Sequence, residues 1–276
     1  MMNDGRQRRP VLDHITSLFL RKAFKVLRDK DAIVITGSCV VALTLQKQER
    51  PSFRPGDIDV FVKQNFQLDN QIFDRCFLDR HILIPLLLEE GIHSEPKDIL
   101  VKPGPSCDFK KYNSCMINIL QIMEFSLFEE WEEVAVSRPK IQIIVVEDDS
   151  PIPLELPPPF YLTPFERKVV TSFDIDIVQG AYNPNSELVT FALSDTEWNI
   201  FQRKFWYICD SRRSFSLSSM MERITKYTDR GFIWEGFKDF IDPHRAISVT
   251  KYRLLKPRSF EIDTDSNREE TKNSLH

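Results

Sequence analysis

"RPGDIDVFV", residues 54–62, opens on turn residues and then interleaves two aspartates with isoleucine and valine. Successive side chains of a strand point to opposite faces, so Asp57 and Asp59 share one face while Ile58, Val60 and Val62 line the other. The apolar row belongs in a sheet, and the acidic row needs a partner. Burying an unpaired carboxylate costs several kcal/mol, and two like charges side by side add to it. Solvent, a basic side chain, a proton or a divalent cation can meet that need, and hard cations such as Mg²⁺ prefer carboxylate oxygen. A second stretch, "SFDIDIVQ" (172–179), repeats the pattern: as a strand it sets Asp174 and Asp176 on one face against Phe173, Ile175 and Ile177.

Upstream of the first pair, "AIVITG" (32–37) is a β-branched run ending in glycine, a buried strand entering a tight turn. "SCVVALTLQK" (38–47) then reads as a helix with Ser38 at or near its N-cap. Such a turn offers backbone N–H groups and a hydroxyl to an anion. A lone acidic pair is ordinary on a half-exposed strand. Its company here, an anion-holding turn and a second acidic segment, makes a metal and phosphate constellation.

The other segments supply a frame. Residues 11–29 place Leu12, Ile15, Phe19, Leu20, Ala23, Phe24 and Leu27 at helical spacing. Residues 67–92 read as mainly helical with an interruption near Pro85, "DILVK" (98–102) as a short strand, and 115–133 as strand then helix. "KIQIIVV" (140–146) is a strand ahead of a proline-rich connection. In "TPFERKVVTS" (163–172), Thr163, Pro164 and Glu166 spell a capping box with proline at the first helical position. "FDIDIVQ" reads as another strand. From 194 onward "SDTEWNIFQRKFWYICD", "SLSSMMERITKYTDR" and "IWEGFKDFI" read as three helices or helical turns. The tail from about 257 has the polar composition of a disordered segment.

Composition narrows the function classes. The chain has 276 residues, 42% hydrophobic, enough for one large domain or a domain with a small companion. A net charge of −4 provides no global field for nucleic acid, so any such binding needs a local basic patch. Five scattered cysteines without CxxC spacing fit a reducing compartment, cytoplasmic or nuclear, and support neither a disulfide framework nor a zinc site. No apolar run reaches the ~20 residues of a membrane span, and no secretory signal is visible. The histidines His14, His81, His93 and His244 share no spacing, and "EDDS" (147–150) reads as solvated turn chemistry. Neither a G-x-S-x-G nor a G-x(4)-G-K-[ST] motif occurs, which removes the main support for acyl-transfer and P-loop chemistry.

"VITGSCVVAL…RPGDIDVFV" resembles the GS-x(n)-DhD signature of the nucleotidyltransferase superfamily of DNA polymerase β. It also resembles the nucleotidyltransferase-like proteins of large DNA viruses and some eukaryotes. The likeness covers roughly residues 30–65 and 140–182, with the DhD pair following Ser38 after a longer loop than in compact members. It implies that Gly37 and Ser38 hold nucleotide phosphates and that Asp57 and Asp59 bind Mg²⁺ or Mn²⁺. It further implies a third acid from the second stretch, Asp174 first with Asp176 as its rival, assisting the acceptor hydroxyl. "RITKYTDRGF" (223–232) sets Arg223, Lys226 and Arg230 on one helical face, with Gly231 a natural C-cap. Its R-x-x-K-Y-x-x-R-G-F pattern is similar to one in the viral-type group, and this face is the expected source of cations for the phosphates. Tyr227 beside them could stack on a base or pack into the core.

The expectation is therefore an α/β (α+β) protein, a nucleotidyltransferase-like mixed β-sheet flanked by helices with a small helical C-terminal segment. The core spans 1–182, the helical subdomain 183–256 and the tail 257–276. Its expected activity is transfer of a nucleoside monophosphate from a nucleoside triphosphate to a hydroxyl of RNA, protein or a small molecule, without a membrane partner. The alternative is a catalytically inactive binding or scaffold protein on the same fold.

Overall fold

The computed structural model describes residues 10–28, 31–50, 52–65, 72–89, 117–125, 127, 139–147, 162–209 and 217–239. Strand β1 (Ile33–Thr36) is buried along its whole length, as its β-branched run requires. It pairs antiparallel with β2 (Asp57–Lys63), with Thr36 opposite Asp59. Strand β2 runs parallel to β4 (Lys140–Glu147), and β3 (Asn118–Phe125) pairs antiparallel with β4 at the edge. On the far side of β1 lie β5 (Gly180–Asn183) and β6 (Leu188–Phe191), an antiparallel hairpin. The six strands run in the order β3-β4-β2-β1-β5-β6, a mixed sheet flanked by helices.

Strand alternation divides the core. Ile33, Ile35, Ile58, Val60 and Val62 face helix α1 (His14–Leu27) and helix α2 (Ser38–Lys47). Phe19, Leu20, Phe24 and Leu27 of α1 are buried there, each contributing about 1.5–3 kcal/mol of transfer free energy. Val34, Phe61, Ile144 and Val146 face helix α5 (Pro164–Val170), whose Thr163–Glu166 capping box forms as the sequence spells it.

Three local readings change. Helix α3 (Arg75–Leu78) continues through a π-helical turn (Asp79–Leu83) into α4 (Ile84–Glu89), so the chain stays helical past Pro85. A widened turn accommodates the missing N–H of a proline without breaking the helix. "FDIDIVQ" is not a strand: Ile175 makes a single bridge to Tyr207, and Asp176–Val178 is a 3₁₀ turn. The C-terminal stretch holds helix α6 (Thr196–Phe201) and helix α7 (Leu217–Asp229), but "KFWYIC" and "IWEGFKD" form a parallel ribbon, β7 (Lys204–Cys209) and β8 (Ile233–Asp239), rather than helices. The large sheet also runs beyond residue 182, through β6. "DILVK", the helical half of 115–133, the proline-rich connection and the tail from 257 lie outside the described residues. Among the described residues, no helix is long and apolar enough to cross a membrane.

Candidate functional site

The site starts where β1 ends. Gly37 is the N-cap of α2 and holds φ 82°, ψ −151°, a conformation open to glycine. A Cβ at this position would collide with the Asp59 carboxylate, so the missing side chain is what lets the acid lie against the turn. Ser38 therefore sits one position inside the helix rather than at its cap. Its hydroxyl is buried, and among the described residues no hydrogen-bond partner meets it. A buried hydroxyl without a partner carries a desolvation penalty that an incoming oxyanion would relieve.

Asp57 and Asp59 stay partly exposed while Ile58 and Val60 are fully covered, as the alternation of "DIDV" requires. Asp59 lies deep among protein atoms with part of its surface still open. Burial first, and then the neighbouring Asp57, push its carboxyl up to about 8, while Lys226 pulls it back. The field of the pair reaches behind the turn. Burial, Asp59 and Asp57 together raise the Cys39 thiol well above its ordinary value, and its Sγ donates to the Thr36 carbonyl at 2.9 Å.

The two later aspartates part company. Asp174 accepts from the Tyr207 hydroxyl at 2.9 Å and is paired with Arg223. Asp176 turns the other way, accepting from Asn199 Nδ2 at 2.8 Å, from the Trp206 N–H at 2.9 Å and from the Ile177 N–H at 2.8 Å. Burial pushes Asp176 up to about 6 against the pull of these donors. The shared face expected for the pair depends on strand geometry, and the 3₁₀ turn starting at Asp176 removes it.

Helix α7 reaches the acids through its basic side chains. Met220, Ile224 and Tyr227 form its buried stripe, with Arg223 and Arg230 along the flank and Lys226 exposed beside them. Arg223 meets Asp174, Lys226 acts on Asp59, and Arg230 lies over the Phe53 ring at 4.2 Å. Tyr227 packs against Phe205 and Phe232 at ring distances of 5.9 and 6.2 Å, a core residue. Its hydroxyl is raised first by burial and further by the charges of Asp59, Asp57 and Asp174, while Arg230 lowers it. Gly231 ends the helix at φ 83°, with Phe232 N–H returning to the Tyr227 carbonyl at 3.1 Å. The structure sets Asp59 against Gly37, brings the charge of Lys226 to bear on Asp59, pairs Asp174 with Arg223 and turns Asp176 toward Asn199 of α6. Tyr207 and Phe53 join them, with no local motif to announce either.

Among the described residues, no group of three or more His, Cys, Asp or Glu side chains is gathered as a ready metal cage. Two adjacent carboxylates, one raised to about 8 by its burial and then its neighbour, still fit a cation that takes few protein ligands and completes its shell with phosphate and water. No family model matches this sequence, and no curated protein does.

Proposed function

We propose that this protein is a metal-dependent nucleotidyltransferase, moving a nucleoside monophosphate from a nucleoside triphosphate to a hydroxyl acceptor and releasing pyrophosphate. The observation that carries the reading is the meeting of three features at one place. They are the repelling acids Asp57 and Asp59, the unpartnered Ser38 hydroxyl at the start of α2, and the cationic flank of α7. Asp57 and Asp59 would hold a divalent cation, which when bound neutralises the triphosphate charge and polarises the phosphorus under attack. Ser38 and the first N–H groups of α2 bind phosphate oxygens, aided by the positive end of the helix dipole. Lys226 and Arg230 balance the remaining phosphate charge. The acceptor hydroxyl attacks the α-phosphorus, and pyrophosphate leaves. Asp174 takes the acceptor proton once the incoming phosphates draw Arg223 away from it.

A non-catalytic binding protein is the second reading, favoured by one observation: Asp174 is held by Arg223 and Tyr207 instead of completing an acid trio. Pyrophosphate release separates the two. Incubation with Mg²⁺, labelled nucleoside triphosphates and pooled RNA, protein and small-molecule acceptors should release pyrophosphate. Asp57→Asn with Asp59→Asn should abolish both the release and the rise in melting temperature caused by Mg²⁺ and triphosphate. Triphosphate-dependent stabilisation without pyrophosphate release would favour the binding protein.

A further inference from the structure

Two side chains hold Asp174, and they hold the same oxygen. The Tyr207 hydroxyl donates to Oδ2 at 2.9 Å, and Arg223 Nη1 donates to that oxygen as well. Among the described residues, no donor meets Oδ1. The two holders differ in how firmly they are fixed. Tyr207 is buried, its ring packs edge-on against Phe237 at 6.0 Å, and β7 pairs with β8 at that residue. Its backbone bridges to Ile175, and the neighbouring Ile208 N–H donates to the Asp174 carbonyl at 2.7 Å. Tyr207 and Asp174 are therefore tied through the backbone as well as through the side chains. Arg223 reaches the same carboxylate from α7 on a long side chain that is 25% exposed.

The Asp174 side chain is only 5% exposed, so its charge needs a donor at all times. Were Arg223 its sole partner, drawing the guanidinium away would leave a buried charge unpaired, a penalty that would keep Arg223 in place. A hydroxyl that stays behind lowers that penalty. A guanidinium beside a carboxylate also opposes its protonation, and a neutral hydroxyl opposes it far less. With Oδ2 fixed by a donor that is itself locked by packing, the carboxylate keeps one orientation and Oδ1 is left for an incoming proton.

We propose that Tyr207 is a positioning residue for Asp174, holding its carboxylate through a hand-over in which the triphosphate takes Arg223. Before ligand binds, Arg223 and Tyr207 share Oδ2. Once the phosphates draw Arg223 off, Tyr207 alone holds Oδ2, and Oδ1 takes the acceptor proton. The acceptor O–H bond breaks, its oxygen bonds to the α-phosphorus, and the bond from that phosphorus to pyrophosphate breaks. The Tyr207 proton stays on its own oxygen. Proton transfer thereby waits for the triphosphate, so an acceptor is not activated in an empty site. The hand-over rests on the proposed function for its chemistry, whereas the sharing of Oδ2 is measurable without it.

The test uses the full chain and Tyr207→Phe, which removes the hydroxyl and keeps the ring. Without ligand, this change should lower the melting temperature more in an Arg223→Gln background than in wild type, because the hydroxyl is then the sole donor to Oδ2. With Mg²⁺, labelled nucleoside triphosphate and the pooled acceptors, Tyr207→Phe should lower kcat about tenfold or more. KM for the triphosphate should stay within about twofold and the ligand-dependent rise in melting temperature should persist, which a merely loosened fold would not allow. Added to Asp174→Asn, Tyr207→Phe should lower kcat no further. Equal melting losses in the two backgrounds would overturn the proposal. So would a Tyr207→Phe protein that turns over like wild type while Asp174→Asn does not, and nucleotidyl transfer would still stand. Absence of pyrophosphate release by wild type would instead overturn the proposed function and the hand-over together, whatever the melting curves show.

Discussion

At the residue scale, Gly37 decides whether the turn and the acid can occupy the same place. Its φ of 82° with ψ of −151° disfavours any side chain, and the space a Cβ would need is taken by the Asp59 carboxylate. Gly37→Ala is therefore expected to destabilise the protein by about 1–3 kcal/mol from backbone strain alone, with further loss as Asp59 is displaced. Urea unfolding measures the first effect. The second should appear as loss of the melting-temperature rise with Mg²⁺ and triphosphate, at temperatures where the variant is still folded. Gly56 provides the control: a Cβ there meets nothing within 4 Å, so Gly56→Ala should leave both readouts near wild type.

At the scale of elements, the segment 173–178 works as a clasp between the large sheet and the C-terminal part. Asp174 reaches Tyr207 and Arg223, while Asp176 gathers Asn199 and the Trp206 N–H. Asp176→Ala leaves the buried Asn199 amide and the Trp206 and Ile177 N–H groups without their acceptor, and should destabilise by about 2–4 kcal/mol in urea unfolding. The pH dependence has a definite sign. Because the folded-state pKa is raised from 3.8 to about 6, the fold holds a proton there that the unfolded chain has released. The resulting stabilisation is complete below about pH 4 and is lost as pH rises through 6, a span of roughly 3 kcal/mol. Asp176→Ala should lack that slope. These contacts also show what the sequence conceals. β1, β2, β4 and α5 were legible because alternation, glycine and a capping box are local signals. β7 and β8 were not, since short aromatic-rich runs suit a helix and a strand equally, and only their parallel pairing decides between them. For the site, Gly37, Ser38 and the Asp57–Asp59 pair came from spacing. The separation of Asp174 from Asp176, and the partner Tyr207, come from a tertiary contact no spacing encodes.

For the whole molecule, the acids hold a net repulsion that the fold only partly offsets, and that reserve should couple ligand binding to protons. Asp59 stands at about 8, so near neutral pH it is largely protonated, and a cation at the pair must displace that proton. Without ligand, the contribution of Asp59 to stability is complete below about pH 4 and lost as pH rises through about 8, because the raised folded pKa favours the neutral acid. The ligand reverses the trend, as it binds the charged form. Saturating at about a hundred times Kd, Mg²⁺ with triphosphate should stabilise the fold by about 2.7 kcal/mol, several degrees in Tm. That increment should grow as pH rises from about 6 to about 9 at fixed ligand concentration, since Asp59 then needs no proton displaced. Calorimetric titration in buffers of different ionisation enthalpy should register proton release near pH 7 that fades toward pH 9. Asp59→Asn should lose the proton release and most of the binding. A ligand increment independent of pH, with no proton released, would separate Asp59 from the cation site and leave the α7 cations and Ser38 as the sole triphosphate contacts.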